Sequence, residues 1–381
     1  MKKVFVVLVV VALMLSMAAC GQPQQTAAPQ TAAPATAAPE TAAPATPAPA
    51  GKPYIAIISK GFQHKFWQTV KAGSDDAAAK LNVDITFEGP PSESDIQIQV
   101  DMVNAALAKN PAALCLAALD TKSLNEQLQA CVDKGIPVIG FDSGVPNPPA
   151  GSIKSTASTN NEAAGAVAAD EMFKVIKDAV SAATTSKPVK VAVVSQDATS
   201  ASITGRTTGF VNEMLKKCEE VQPGKVAVTG HTSWAKASGS GETAVEITVT
   251  IAASTSVPDC QAACQAVLQT NPLGVFCTNS GTVDGMLAAT SDGSDLDRAT
   301  GKYKNLPVIG FDSGSSLLNA IKKKWFYGAI TQDPYMIGYD AVDLAVKVLN
   351  GETVPEIVDT GCHFYNDQNM NDPDIAKLLY E

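Results

Sequence analysis

Eight consecutive residues, Pro-Val-Ile-Gly-Phe-Asp-Ser-Gly, occur twice in this chain, at 137–144 and again at 307–314. A short apolar run bounded by turn residues reads as a fully buried strand. In both copies an aspartate, Asp142 or Asp312, follows that strand immediately. The duplication reaches further back. Asn110-Pro111 and Asn271-Pro272 each precede an apolar run, a helical stretch and then the shared motif, the second copy being longer by a polar insertion around "SDGSDLDRATGKYKN". The chain therefore has to fold into two related units, each ending a strand on a carboxylate.

The rest of the pattern says what those units are. In the first half "YIAII" (54–58), "VDITF" (83–87), "AALCLA" (112–117) and "PVIGF" (137–141) read as strands. Between them lie helical stripes: Phe66, Val70, Gly73, Ala77 and Leu81; then Ile96, Val100, Val103 and Leu107; then Leu124, Leu128 and Cys131. The second half repeats the alternation with "VKVAVV", "KVAVT", "LGVFC", "PVIGF" and "YGAI". Alternating strands and helices imply parallel sheets covered on both faces. The expected fold is thus α/β, with two doubly wound parallel-sheet lobes. Ligands of such sheets collect outside the carboxyl ends of the strands, so lobes that face each other would turn Asp142 and Asp312 toward one cleft.

The first 19 residues carry Lys2 and Lys3 and an apolar run too short to span a bilayer comfortably, and they read as an export signal. Ala18-Ala19-Cys20 looks like a lipobox, which makes Cys20 the expected lipid attachment point. Residues 20–52 are dominated by Ala, Pro, Thr and Gln, a composition that cannot bury enough apolar surface to order itself and that reads as a spacer. Cleavage before Cys20 would take the formal charge from −10 to −12. So acidic a chain, without a basic run, argues against nucleic acid as a partner. The seven other cysteines are scattered through apolar positions and read as small buried residues rather than a disulfide framework. The three histidines lack metal-ligand spacing, so neither a metal nor a cofactor is expected.

Several stretches in order, "IAIISKGFQHKFWQTVKAG", "GIPVIGFDSG", "STNNEAAG", "GRTTGF", "FCTNSGTVDG", "LPVIGFDSG" and "GAITQDPYMIGYDAV", resemble the type 1 periplasmic binding proteins of the ribose, galactose and xylose class, the sugar-binding components of ABC importers. The resemblance covers nearly all of 53–381. It implies Phe66 and Trp67 against one face of a sugar, with Asp142, Arg206, Asn279, Asp312 and Gln332 around its hydroxyls; Trp234 is a candidate second stacking ring. The chemistry suits a polyol, because carboxylates accept from vicinal hydroxyls, a guanidinium donates in a fixed fork and an amide does both. The bland readings are turn-capping for the two aspartates, a surface ion pair for Arg206, a core position for Phe66 and a hinge role for Gln332.

The resemblance further implies an N-terminal lobe of 53–157 plus 333–356, a C-terminal lobe of 158–332 plus 357–381, and hinge segments near 157–160, 331–334 and 355–359. Its function would be capture of a monosaccharide by hinge closure and delivery to a membrane permease by a monomeric, lipid-anchored, extracytoplasmic protein that is not an enzyme. The alternative is a receptor for inositol, a nucleoside or a signalling furanose that serves sensing. Departures from the family pattern lie at Gln63, His64, Lys65 and Ser143 and across 230–258.

Overall fold

The computed structural model describes residues 51–62 and 64–381. The export signal 1–19, Cys20 and the spacer as far as residue 50 lie outside the described residues, as does Gln63. The first lobe is built from β1 (Tyr54–Ile58), α1 (Lys65–Leu81), β2 (Asp84–Glu88), α2 (Ile96–Ala108), β3 (Ala113–Leu116), α3 (Asn125–Lys134), β4 (Val138–Phe141) and β5 (Ile153–Ser158). The chain then crosses to the second lobe for α4 (Asn161–Ser181), β6 (Val189–Ser195), α5 (Ala201–Val221), β7 (Val226–Thr229), β8 (Val245–Ile251), α6 (Val257–Gln269), β9 (Val275–Cys277), α7 (Ser280–Ala289), β10 (Val308–Phe311), α8 (Ser315–Lys322) and β11 (Gly328–Gln332). It returns with α9 (Pro334–Leu349) and β12 (Ile357–Asp359), and ends in the second lobe with β13 (Cys362–Tyr365) and the short α10 (Pro373–Ala376).

The strand order of the first sheet is β12-β5-β4-β3-β1-β2, all parallel. The second runs β13-β11-β10-β9-β6-β8-β7, parallel except for β13 at its edge. The two central orders, β2-β1-β3-β4-β5 and β8-β6-β9-β10-β11, are the same doubly wound arrangement, with β7 added at the outer edge of the second. Apolar side chains on both faces of each sheet make four buried clusters, two per lobe. All seven cysteines from Cys115 to Cys362 are unpaired, and all but Cys362 are buried.

Polypeptide passes between the lobes at 159–160, at 333 and at 360–361. The third passage lies beyond the expected boundary at 356, because Ile357–Asp359 pair with Thr156–Ser158 and so belong to the first sheet. The passages are knitted together. The Thr159 hydroxyl lies 3.0 Å from Gln332 Oε1 and 3.1 Å from the Gly361 carbonyl, and the Asp359 carboxylate accepts from the Asn160 and Gly361 N–H groups. Asp333 starts α9 by accepting from the Met336 N–H at 2.9 Å, with Pro334 at the first helical position, where its missing N–H loses nothing.

Candidate ligand-binding site

The repeated octapeptide folds twice into the same strand tip. Asp142 and Asp312 both take left-handed backbone conformations, φ 54° and 77°, which a short polar side chain tolerates better than most. Their N–H groups donate to equivalent carbonyls on the next strand, Ala157 at 3.0 Å and Ile330 at 2.7 Å. Neither carboxylate caps its own turn. Both line one narrow cavity between the lobes, together with Lys60, His64, Phe66, Trp67, Glu93, Ile203, Arg206, Asn279, Ser280 and Gln332. Strand ends and the segments just after them supply Lys60, His64, Glu93, Asp142, Asn279, Asp312 and Gln332, and the opening turns of α1, α5 and α7 supply the rest, as the doubly wound fold dictates.

The two aspartates differ in their partners. Asp312 Oδ2 accepts from the N–H and hydroxyl of Ser280 at 3.0 and 2.9 Å, and Oδ1 from Gln332 Nε2 at 2.7 Å. Asp142 Oδ2 lies 3.1 Å from Lys60 Nζ yet is buried without a hydrogen-bond donor among the described residues. Burial therefore pushes the Asp142 carboxyl up, against the opposing pull of Lys60 and Arg206. Burial alone would lower the Lys60 ammonium, but Asp142, Glu93 and Asp197 outweigh it and raise that group, so Lys60 stays charged. Its Nζ also donates to Ser202 of the opposite lobe at 2.9 Å. Burial works against the Glu93 carboxylate as well; Lys60, His64 and bonds from Trp67 and Gln196 prevail and hold it below the usual range.

These groups form a chain of bonds across the cleft. Trp67 Nε1 donates to Glu93 Oε1 at 2.8 Å, Gln196 Nε2 donates to Glu93 Oε2 at 3.1 Å, and Asn279 Nδ2 donates to Gln196 Oε1. Asn279 also caps α7, exchanging bonds with Thr282 in a capping box, which fixes its side chain at the cavity wall. Arg206 is positioned from three sides: its Nε donates to Asn161 at 2.9 Å, its Nη1 to the Thr278 carbonyl at 3.0 Å, and its guanidinium lies 3.7 Å from the Phe311 ring centre. Nη2 has no acceptor among the described residues and is available to a ligand. A buried site with aromatic faces, three carboxylates, two cations and two amides holds a small, neutral, hydroxyl-rich molecule well, since such a ligand both donates and accepts at many points.

Seven of the eight expected site residues, Phe66, Trp67, Asp142, Arg206, Asn279, Asp312 and Gln332, line this cavity. Trp234 is a correction. Its Nε1 donates to Thr208 Oγ1 at 2.9 Å, and its ring packs on the second lobe's core beside His231. Thr208 is two residues beyond Arg206, about 200° further round α5, so Trp234 sits on a different face of that helix. The reason is local: the segment after β7 folds back through paired backbone bonds between Val228 and Lys236, which carries Trp234 onto α5 instead of into the cleft. Lys60 and Glu93 were missed. Both follow strands at their carboxyl ends, the same signal that singled out Asp142.

The sequence profile of the family described as periplasmic binding protein domain matches residues 55–353. The chain belongs to the periplasmic binding protein family. A relative of this binding protein, the D-allose-binding periplasmic protein of Escherichia coli (strain K12), is 23% identical over 307 residues, which cover 79% of this chain and 86% of that protein. A solved structure from Brachyspira murdochii, described as an ABC transporter, LacI family transcriptional regulator, is 37% identical with a TM-score of 0.72, covering 87% of this chain and 99% of its own. An ABC transporter solute-binding protein from Agrobacterium vitis, solved with bound D-fucose, is 27% identical with a TM-score of 0.71, covering 86% of this chain and all of its own. Family membership gives this binding protein an extracytoplasmic location.

Proposed function

We propose that this binding protein captures a sugar for an ABC importer, closing its two lobes around one pyranose or furanose ring and presenting the closed form to the permease. The observation that carries the reading is the pair of identical strand tips, Asp142 from one lobe and Asp312 from the other, on a single cavity walled by Phe66 and Trp67. Phe66 and Trp67 would cover the apolar face of the ring. Asp142, Asp312, Arg206, Asn279, Gln332, Lys60 and Glu93 would take its hydroxyls, each charge-assisted bond contributing about 1.5–3 kcal/mol. D-fucose in one solved relative and D-allose in the name of another support a monosaccharide over inositol or a nucleoside. Ligand is returned unchanged, and the protein acts as a monomer tethered through lipid on Cys20.

A thermal-shift panel of pentoses, hexoses, inositol and nucleosides on residues 51–381 tests this. A sugar at a hundred times its Kd adds about 2.7 kcal/mol of apparent stability. A shift with nucleosides or inositol and none with any sugar would overturn the assignment.

A further inference from the structure

A second cavity, of about 190 Å³, adjoins the first and shares His64 and Ser280 with it. Its other walls are Lys65, Val283, Asp284, the run Ser313–Leu317 and Tyr380. His64 stands between the two spaces, lining both, and its Nε2 is buried without a partner among the described residues. The second cavity repeats the chemistry of the first in reduced form. It has one aromatic ring, Tyr380, whose centre lies 6.5 Å from that of Phe66. It has one carboxylate, Asp284, which burial holds above its usual range against the opposing pull of His64 and Ser316. Serine hydroxyls and Lys65 complete it.

Tyr380 is fixed in place. Its N–H donates to Ser313 Oγ at 3.0 Å, and its hydroxyl accepts from the Ser313 N–H at 3.3 Å, directly after Asp312. The aromatic wall of the second space is thus tied to the strand tip that lines the first. A ring seated in the first cavity has a polar, aromatic-walled space next to it. We propose that the cleft takes O-glycosides, with one sugar ring in the first cavity and its glycosidic substituent, a second sugar ring in a disaccharide, in the second cavity against Tyr380 and Asp284.

This inference rests on the sugar-binding reading, and titration calorimetry separates the two. The probes are D-glucose, D-galactose and D-allose, the methyl α- and β-glycosides of glucose and galactose, and the disaccharides maltose, cellobiose, lactose and melibiose. The expected result is at least one glycoside or disaccharide binding within tenfold of its parent monosaccharide, or more tightly. Ser315→Trp, which fills the second cavity from an exposed helix start, should then lower the disaccharide-to-monosaccharide affinity ratio at least tenfold. Monosaccharide binding that every O-substituent weakens more than tenfold would overturn the inference and leave the sugar-binding reading standing. An unchanged ratio in Ser315→Trp would overturn it as well. No binding of any probe would remove both.

Discussion

Asp312 already accepts three hydrogen bonds from its own lobe, while Asp142 has only the neighbouring Lys60 ammonium. Bonds within a lobe persist when the lobes part, so Asp312→Ala should destabilise the unliganded protein by about 2–3 kcal/mol. Asp142→Asn should change it by less than about 1 kcal/mol, because Lys60 keeps Glu93 of its own lobe beside it. Both variants should lose at least a hundredfold in sugar affinity; urea unfolding and calorimetry read the two effects separately. Glu93 makes a pH prediction. Its carboxyl lies lower in the folded chain than in the unfolded one, so the native state binds fewer protons, and the stability this contributes is present above about pH 4.3 and lost as pH falls through the lower folded value. Glu93→Gln should therefore flatten the acid limb of the stability profile, measured by melting between about pH 5 and 3. An acid limb as steep as wild type would contradict this.

Paired glycines set how the helices flank each sheet. In the first lobe α1 and α9 cross where a side chain on Gly73 would strike the Tyr335 carbonyl and one on Gly338 the Val70 carbonyl. In the second, α4 and α5 cross where Gly165 meets the Arg206 carbonyl and Gly209 the Glu162 carbonyl. The second crossing holds Arg206 against Asn161, so Gly209→Ala should cost about 1–3 kcal/mol by overpacking and also weaken sugar binding. A stability loss with unchanged affinity would detach the crossing from the site. The elements differed in how plainly the sequence announced them. Central strands such as "YIAII" and "VIGF" are continuous apolar runs because both faces are covered. Strand β5, "IKSTAS", is mostly polar, and β12, "IVD", is three residues long and mostly exposed, so neither stands out locally; β5 is a strand through pairing with β4, and β12 through pairing with β5. Strand β8, "VEITVTI", does alternate in the manner of a half-buried strand, but it lies in the stretch that departs from the family pattern.

Besides the three crossings, the lobes meet through Lys60 to Ser202, Ser202 to Ser143, Gln196 to Glu93, Thr255 to Ser92 and Ser94, Thr199 to Leu119 and Thr121 to Thr199. A ligand that touches both lobes shifts the balance between open and closed forms by its contacts to the second. Small-angle scattering should show compaction on addition of the tightest-binding sugar, and no compaction with Asp142→Asn at the same concentration. That the cavity lies between twin strand tips was legible from one repeated octapeptide, because a parallel sheet puts the end of every such strand on its ligand-facing edge. Where Trp234 goes was not, because the path of a loop with no apolar periodicity depends on docking against α5. The most direct measurement is a crystal structure of the complex with that sugar. The account predicts one ring against Phe66 and Trp67, with hydroxyls within 3.2 Å of both Asp142 and Asp312. A ring bonded to only one lobe, or seated outside this cavity, would contradict it.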